Sequence, residues 1–415
     1  MSLTSLTSLT KDKNTAIEQV EPGSCYGCGC CAALCEQEAI TMKIDAQGFL
    51  APHVNNEKCN QCGLCAKVCP SMSSPQLFNV LSDFPFALWS KNTKIRLSAS
   101  SGGAALSLGL TLNKTGFHVL GAVFEKGFCR VHHIVAKSPQ EILRTTGSKY
   151  VQSDMSRALR GALENKKKDY IVFGTPCQIA GIRKIAEFMN LADHYYLVDF
   201  FCHGVPSYLL WWGFLNDIQI RTGKLQHLEL RNKAKGWHDC SLFCVGSDGC
   251  FIEKTFLKTR FARFYLSNYC LSETCYTCKY GRYSAGDLRL GDFWGRDFQA
   301  DFLGTSLGIP FTEKGYQLIE NTEDLEFRSM PAASLINSQD IARAAISKPL
   351  KNEQVLSSLQ KGMPLKKAYQ QFLARKCGIA AVKQAPARAA SRIVPESIKK
   401  IIRFIGTGQG GDSRR

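Results

Sequence analysis

Residues 25–35 read CYGCGCCAALC, and residues 59–70 read CNQCGLCAKVCP. Each stretch spaces four cysteines at gaps of two, two and three residues, and the pattern repeats after 34 residues. Two-residue gaps let three thiolates of one loop reach three irons of a compact cubane, so the duplicated pattern predicts two iron–sulfur clusters. Structural zinc sites pair cysteines at one gap and then leave a long spacer, which does not fit this pattern.

The spacing is that of bacterial two-cluster ferredoxins, in which the fourth cysteine of each run binds the other cluster. The two clusters are therefore expected to take Cys25, Cys28, Cys31 and Cys69, and Cys59, Cys62, Cys65 and Cys35. Glu36 stands where such ferredoxins usually have proline, which alters the turn and leaves the ligands unchanged. Cys30 fits no ligand position and is interpreted as a packed thiol.

The chain holds 19 cysteines in 415 residues. Residues 1–20 are polar, lack the apolar core of a secretory signal, and are interpreted as a disordered leader. No run approaches the roughly 18 apolar residues of a membrane-spanning helix. A cytoplasmic location is expected, and in a reducing cytosol clustered cysteines indicate metal-bound thiolates rather than disulfides.

Composition divides the chain into the leader, a ferredoxin domain at 21–72, a main domain at 83–345 and a segment at 346–415 that is helical and then basic. In the main domain, apolar runs at 117–124, 170–173 and 195–201 are typical of buried strands. A helical pattern at 178–189 joins the last two runs into a βαβ unit. Residues 225–230, 240–245 and 249–255 are interpreted as an antiparallel addition. The predicted fold class is α+β or α/β, a mixed sheet with flanking helices that follows the ferredoxin domain.

Five short motifs also occur in the main domain: SASSGG at 98–103, GSKYVQS at 147–153, GTPCQIAG at 174–181, FCHGVP at 201–206, and CYTC at 275–278 leading into AGDLRLGDFWG at 285–295. Together and in this order they resemble the coenzyme F420 hydrogenase/dehydrogenase β-subunit family over roughly residues 20–345. The resemblance implies bound FAD, a further 4Fe-4S cluster in the main domain, and electron exchange between the clusters and a two-electron carrier. The segment 83–345 would then be an FAD and 4Fe-4S catalytic domain.

Four cysteines of the main domain are candidate ligands of a third cluster. Cys275 and Cys278 form a two-residue-gap pair, and Cys177 and Cys202 end two neighbouring predicted strands at positions where the family motifs carry cysteine. Cys270 is the reserve candidate. Cys240 and Cys244 share one face of a predicted strand and are interpreted as core residues.

The flavin is expected at small-residue turns that precede helices. Gly174, Thr175 and Pro176 follow a strand and open a helix, a geometry in which backbone N–H groups face an anion. Ser100, Ser101, Gly102 and Gly103 likewise precede the apolar helix 104–112, although an ordinary helix N-cap explains either turn equally well. The other candidates for contact with the cofactor are Gly147, Ser148, Lys149, Gly291 and Asp292.

Two residues are candidate catalytic groups. Lys149 lies in a small-residue turn and could hold a flavin phosphate or an anionic flavin ring. His203 follows Cys202 and could donate a proton, although a hydrogen bond within the core is an equally good account. Asp287 and Asp292 flank a strand, where they could order the flavin edge or cap a turn.

The formal net charge of +17 suggests a nucleic-acid partner, but its distribution argues against one. Residues 375–415 hold ten Lys or Arg against Glu396 and Asp412, so this tail carries +8 and leaves +9 for residues 1–374. Each oxidised 4Fe-4S cluster with four thiolates carries about −2, so three clusters bring the folded body close to neutral. Within the tail, residues 397–405 have the pattern of a short basic amphipathic helix that could contact a membrane surface or pack on protein.

The resemblance implies an iron–sulfur flavoprotein oxidoreductase. Single electrons would pass through the clusters to FAD, which would exchange hydride with an organic acceptor or a deazaflavin such as F420. A reduced ferredoxin or another redox partner protein is expected, and the family context suggests a polysaccharide or specialised-metabolite pathway. The main alternative is a non-catalytic electron-transfer adaptor, which predicts clusters without flavin. A zinc-dependent nucleic-acid binder would instead predict zinc and a steep salt dependence.

Overall fold

The computed structural model describes residues 17, 20, 23–81, 85–247, 249, 251–339 and 346–374, with the backbone alone for 251–254 and 337. The strands in chain order are β1 (Ile40–Ile44), β2 (Leu50–Val54), β3 (Phe78–Asn79), β4 (Phe86–Ser90), β5 (His118–Phe124), β6 (Val131–Ala136), β7 (Ser153–Asp154), β8 (Tyr170–Gly174), β9 (Tyr195–Phe200), β10 (Leu225–Asn232), β11 (Ser241–Gly246), β12 (Phe251–Thr255), β13 (Tyr283–Ser284), β14 (Leu288–Asp292), β15 (Ser306–Pro310) and β16 (Leu325–Ser329). The helices are α1 (Cys30–Leu34), α2 (Leu64–Lys67), α3 (Thr93–Ser98), α4 (Ala104–Lys114), α5 (Pro139–Arg144), α6 (Ser156–Glu164), α7 (Pro176–Phe188), α8 (Tyr208–Thr222), α9 (Arg260–Leu266), α10 (Glu273–Tyr276), α11 (Glu313–Glu320), α12 (Ala332–Ser338), α13 (Asn352–Gln360) and α14 (Leu365–Phe372).

A nine-stranded mixed sheet organises the main domain, with the strand order β16-β4-β15-β14-β9-β8-β5-β6-β7. Its central strands β5, β8, β9 and β14 run parallel to one another. The βαβ prediction is confirmed, since β8 and β9 pair in parallel and α7 connects them. The mixed sheet with flanking helices is therefore the predicted fold class, and the carboxyl ends of its central strands share one edge, where α/β folds usually bind ligands.

Helices cover both faces of this sheet because its central strands are apolar on both sides. On one face, Val119, Ile171 and Val198 pack with residues of α4, α5 and α11. On the other face, Leu120 and Val172 pack with residues of α6 and α7. A separate aromatic core around Trp211 joins α8, α9, α13 and α14 to the strands β10 and β11.

The strands β10, β11 and β12 pair antiparallel, as the sequence predicted, but they do not join the main sheet. They form a three-stranded sheet of their own. The boundary prediction for the second strand was also wrong: Cys240 precedes β11 and has a left-handed backbone with φ of +43°. Its side chain is nevertheless buried, as is that of Cys244.

The N-terminal domain contains the β1–β2 hairpin and the two short helices α1 and α2. Helix α1 packs against α6 and α7 of the main domain. Cys30, Ala33 and Leu34 are buried there against Leu159 and Ile182. The cysteine-rich domain is thus fixed to the helical layer on one face of the main sheet.

Two predicted segments lie mostly or wholly outside the described residues. Of the leader, only Ile17 and Val20 are described, and the basic tail from residue 375 onward, including the amphipathic pattern at 397–405, is not. None of the described helices has both the length and the apolar character needed to cross a membrane.

Candidate redox site

The first predicted group of cluster ligands surrounds one small cavity. It is lined by the four cysteines Cys25, Cys28, Cys31 and Cys69 together with Tyr26, Met42 and Pro70 among others. Burial, with a smaller contribution from the nearby Cys28 and Cys69 thiolates, raises the pKa of Cys25 to about 12. Iron bound among the four sulfurs would remove this repulsion, so the chemistry of the donor set fits a cluster.

Glycines shape the loop that carries these thiols. Gly27 has φ of +62°, and a Cβ there would lie 2.4 Å from the carbonyl oxygen of Leu50. Its N–H donates to Cys25 Sγ at 3.3 Å. Gly29, with φ of +79°, precedes α1 and turns the chain so that Cys31 enters the helix. The small-residue loop therefore provides both a close backbone approach and an N–H donor for a thiolate.

The second predicted group lies nearer the surface. Burial raises the pKa of Cys65, and the neighbouring Cys62 and Cys35 add to that shift. Cys59 begins the same loop, and Cys62 is exposed to solvent. The structure therefore brings this group together at the outer side of the N-terminal domain.

The third predicted group comes together at the carboxyl edge of the main sheet. Cys177 lies in the first turn of α7, Cys202 follows β9, and Cys275 and Cys278 lie in and after α10. Burial raises the pKa of Cys177, with Cys278 and Cys202 contributing. Burial also raises the pKa of Cys275, and Cys202 and Cys278 again contribute. The four thiols, far apart in sequence, are thus close enough to repel one another as thiolates.

Backbone N–H groups point at these sulfurs. The N–H of Val205 donates to Cys275 Sγ at 3.4 Å. Burial raises the pKa of Cys278. The backbone N–H groups of Tyr280 and Gly281 hydrogen-bond to this sulfur and partly offset that increase. Hydrogen bonds of this kind stabilise cluster-bound thiolates and help to set their potential.

Cys270, the reserve candidate, lies away from this group. Burial alone raises its pKa, without a contribution from the four thiols. Its side chain belongs to the aromatic core around Trp211, and its N–H donates to Asn352 Oδ1 at 2.7 Å. Cys270 is therefore a core residue.

The spacing of the thiols differs from that of a single-metal site. Across the described ranges, no three His, Cys, Asp or Glu side chains are close enough to hold one metal ion. The four thiolates of a cubane bind four different irons, so they lie farther apart than the ligands of one ion.

The first and third thiol groups are neighbours. Cys28 acts electrostatically on Cys177, and Cys30 lies between them, against Gly181 of α7. The rings of Tyr26 and Tyr280 meet edge to face with centroids 5.4 Å apart. The N-terminal domain therefore turns its first thiol group, rather than the exposed second one, toward the main sheet.

A fully buried ion pair fixes the loop that follows Cys278. Arg289 Nε and Nη2 donate to the two carboxylate oxygens of Asp199 at 2.6 and 2.7 Å, and both side chains are 0% exposed. The guanidinium also donates to the backbone carbonyls of Gly281, Tyr280 and Tyr283. Sequence analysis did not identify Arg289, although it lies within the motif at 285–295.

Two predicted flavin segments contact each other near the same edge. Ser148 N–H and Oγ bond to Ser100 Oγ at 2.9 and 3.0 Å. Gly102 packs so closely that a Cβ would lie 2.3 Å from the carbonyl oxygen of Leu88. Gly103 caps α4 with φ of +89°. The segments 100–103 and 147–149 thus form one continuous surface of small residues.

Lys149 belongs to this surface. Its Nζ donates to the carbonyl oxygens of Thr145 and Thr146, each at 2.7 Å. Burial lowers its pKa to about 7. Gly147, two residues earlier, has φ of +81° and open space around its Cα, so it turns the chain. The structure places Lys149 where its amine can hold or release a proton near neutral pH.

The turn at residues 174–176 has a structural role. Thr175 and Gln178 form a capping box, in which the Thr175 N–H donates to Gln178 Oε1 at 3.0 Å. Thr175 Oγ1 lies 3.2 Å from Cys177 Sγ. The helix N-cap alternative is therefore realised, and contact of Gly174, Thr175 and Pro176 with flavin stays a prediction.

Asp292 lies at the end of β14 in a buried polar cluster that the sequence did not predict. Its carboxylate accepts from Arg231 Nη1 at 2.6 Å and from Trp237 Nε1 at 3.0 Å. The rings of Trp237 and Trp294 stack with centroids 4.6 Å apart. Arg231 Nη2 is buried without a hydrogen-bond partner in the part of the chain that the structure describes. Beside Asp292, Gly291 lets the Phe201 ring pack on the strand, since a Cβ would lie 2.7 Å from it.

Lys233 supports the small-residue surface from beneath. Its Nζ donates to the carbonyl oxygens of Arg96 and Leu303 at 2.7 and 2.6 Å, and to that of Ser101. Burial lowers its pKa to about 7. Because its partners are backbone carbonyls from distant segments, no local sequence pattern marks it.

The remaining candidates have partners within the fold. His203 Nε2 lies 3.2 Å from the carbonyl oxygen of Tyr265, and burial lowers its pKa. Asp287 is buried and accepts from Arg183 Nη2 at 2.7 Å and from the Leu197 N–H at 2.8 Å. Asp287 therefore ties α7 to β9, while a proton-donor role for His203 stays a prediction.

Comparison with known families assigns two segments. Residues 24–72 match a 4Fe-4S dicluster domain. Residues 167–332 match the family described as the carboxyl terminus of the coenzyme F420 hydrogenase/dehydrogenase beta subunit.

Three curated relatives are similar over part of the chain. The "Coenzyme F420-dependent sulfite reductase" of Methanocaldococcus jannaschii is 29% identical over 43% of this chain and 27% of its own length. One subunit of the F(420)H(2) dehydrogenase of Methanosarcina mazei is 26% identical over 42% of this chain and 51% of its own length. The beta subunit of the coenzyme F420 hydrogenase of Methanococcus voltae is 23% identical over 57% of this chain and 80% of its own length. The match thus covers about a quarter of the sulfite reductase and about half of the dehydrogenase subunit.

Among solved structures, a chain of the F420-reducing NiFe hydrogenase complex from Methanosarcina barkeri aligns with a TM-score of 0.44 and 17% identity. The alignment covers 69% of this chain and 91% of that one.

Proposed function

Because residues 24–72 belong to the 4Fe-4S dicluster domains and residues 167–332 to the coenzyme F420 hydrogenase/dehydrogenase beta-subunit family, we propose that this chain is an iron–sulfur flavoprotein oxidoreductase. It holds three 4Fe-4S clusters and one FAD, and it exchanges two electrons with an organic acceptor or a deazaflavin coenzyme such as F420. When bound, the clusters carry electrons singly and the flavin supplies two-electron chemistry.

The convergence of Cys177, Cys202, Cys275 and Cys278 carries this proposal. These four thiols come from three separate parts of the chain, meet at the ligand-binding edge of the sheet, and lie beside the first ferredoxin group. Backbone N–H donors already point at their sulfurs. A set of core cysteines without a cofactor needs neither this grouping nor these donors.

Three features support a flavin at the neighbouring surface. Arg231 Nη2 offers a buried donor without a partner among the described residues, suited to an anionic or carbonyl oxygen. Ser100 and Ser148 offer hydroxyl groups. Lys149, with a pKa lowered by burial to about 7, can hold a proton at its Nζ near neutral pH.

The acceptor is inferred from the relatives. The sulfite reductase, the dehydrogenase subunit and the hydrogenase subunit to which the chain is similar carry F420 in their names. We therefore propose a deazaflavin as the first acceptor to test, together with small organic acceptors.

The experiment is anaerobic reduction of the intact protein followed by addition of oxidised F420. Reoxidation of a stoichiometric flavin with matched loss of F420 absorbance would support the enzyme. Lys149→Gln should slow this exchange and leave cluster reduction by dithionite unchanged. Reducible clusters without any flavin would refute the enzyme and support the electron-transfer adaptor.

A protein redox partner is the second part of the proposal. Cys62 of the second thiol group is exposed, so a cluster there lies at the surface of the protein, within reach of a docked electron carrier. Relatives named as subunits of a hydrogenase and of a dehydrogenase support such a partner. Reduction by a purified ferredoxin, faster at low than at high ionic strength, would support this docking.

A further inference from the structure

A second cavity lies between the ferredoxin domain and the edge of the main sheet. Its volume is about 310 Å³, within the range of small-molecule sites. The β1–β2 hairpin forms one wall, and the opposite wall comes from β6, the start of α6 and Tyr208. None of the predicted thiol ligands or flavin residues lines it.

The cavity has an apolar floor and a charged rim. Met42, Ile44, Leu50 and Val131 supply the floor. Tyr208 also lines the cavity. Its hydroxyl already has two hydrogen-bond partners, since it accepts from the Val131 N–H at 3.1 Å and donates to the Gln152 carbonyl at 2.6 Å. The floor therefore offers contact area and no free polar group.

The acidic groups of the rim have partners within the protein. Asp154 accepts from the N–H and the hydroxyl of Ser156 at 2.9 and 2.7 Å. Glu125 Oε1 lies 3.8 Å from His132 Nδ1, an ion-pair distance when the imidazole is protonated. His133 bonds on both sides, to Ser153 Oγ and to the carbonyl oxygen of Phe173.

The two arginines of the rim differ from the acidic groups in having no ion-pair partner among the described residues. Arg130 and Arg157 line the cavity with side chains exposed to solvent, and neither forms an ion pair with another described residue. His132 Nδ1 is buried without a hydrogen-bond partner in the described ranges. Two guanidinium groups without an ion pair thus line a cavity with an apolar floor, and the His132 imidazole lies beside Glu125.

We propose that this cavity binds a small organic anion. Its phosphate or carboxylate group would lie between Arg130 and Arg157, which suit planar, bidentate recognition of oxyanions. Its apolar part would lie on Met42, Ile44 and Leu50. This inference stands on the cavity alone and does not depend on the flavin or on the third cluster.

The location brings such a ligand close to the redox domain. Met42 lines both this cavity and the one surrounded by Cys25, Cys28, Cys31 and Cys69. A bound anion therefore lies one side chain away from the first thiol group.

The test is calorimetric titration of the full-length protein, purified anaerobically with its cofactors, with phenyl phosphate and with benzoate. Saturable binding of either supports the proposal, and the tighter of the two assigns the anionic group. Arg130→Gln and Arg157→Gln should each weaken binding about tenfold, because each removes a charged hydrogen-bond donor. Arg263→Gln, which removes an exposed arginine on α9, is the matched control and should leave binding unchanged.

A cavity-filling variant separates the cavity from the arginines alone. Ile44→Trp keeps both guanidinium groups and fills the apolar floor, so it should abolish binding while the melting temperature of the protein stays within a few degrees. Absence of binding by both probes overturns the proposal. So does binding that survives Ile44→Trp or the double variant Arg130→Gln/Arg157→Gln, or that Arg263→Gln weakens equally.

Discussion

Lys149 and Arg289 are two cationic residues of the candidate site, and their surroundings differ. The Lys149 amine is half-buried against two carbonyl oxygens, and burial lowers its pKa to about 7. Arg289 is completely buried and stays paired with Asp199. Burial therefore favours the neutral form of the Lys149 amine, whereas the Arg289–Asp199 pair orders a loop.

The pKa of Lys149 can be measured through its reactivity. An amine reacts with acetic anhydride only in its neutral form, and the folded pKa lies below the ordinary value near 10.4. Labelling of Lys149, followed by mass spectrometry, should therefore rise through a midpoint near pH 7. Lys126, an exposed lysine, serves as the reference. Identical pH curves for the two amines would contradict the assignment.

Replacing Arg289 should destabilise the protein strongly. Arg289→Met leaves the buried Asp199 carboxylate without a cationic partner, with the Ser284 hydroxyl as its remaining donor, which costs about 3–5 kcal/mol. It also frees the carbonyls of the loop near Cys278, so the third iron–sulfur cluster should be lost with it. Thermal unfolding and iron content are the measurements.

A matched control is available for that variant. Arg260→Met breaks the partly exposed pair with Asp217 and should cost less than about 1 kcal/mol. A similar loss of stability in the two variants would show that burial does not govern the contribution of Arg289.

At the scale of elements, the contact between α1 and α7 joins the ferredoxin domain to the main sheet. Gly181 of α7 makes room for Cys30, since a Cβ there would lie 2.5 Å from Cys30 Sγ. The motif glycine is thus explained by packing between domains.

Two glycine-to-alanine variants test this contact. Gly181→Ala should destabilise the protein by about 1–3 kcal/mol because the helices must separate. Gly161→Ala, in α6 with open space around its Cα, should stabilise it by about 0.5–1 kcal/mol through helix propensity. Adding Cys30→Ala should restore much of the stability of Gly181→Ala. Equal effects of the two alanines on the melting temperature would exclude a packing role.

Local sequence patterns predicted some elements well and others poorly. The β8–α7–β9 unit was predictable because its strands are buried on both faces and read as continuous apolar runs. The separate sheet of β10–β12 was not, since a hairpin pattern does not tell which sheet its edge will join. The left-handed Cys240 likewise depends on its tertiary surroundings.

At the scale of the whole molecule, local sequence patterns point to the cysteines of the candidate site but not to its other buried residues. The ferredoxin cysteines were predictable from spacing alone, and family motifs pointed to Cys177 and Cys202. Lys233 and Arg231 were not predictable, because their partners are carbonyls and a carboxylate from distant parts of the chain. Pairings between distant segments arise only in the folded protein, so a single sequence does not reveal them.

The grouping of thiols leads to the central claim, that the main domain holds a third cluster beside the first. Iron, sulfide, zinc and flavin per chain, measured after anaerobic purification, test it most directly. We predict about twelve irons and about one FAD in the wild type, and about eight irons in Cys177→Ser/Cys278→Ser. Cys240→Ser, which alters a buried thiol outside the group, should keep about twelve. About eight irons in the wild type, or zinc in place of iron, would contradict the account.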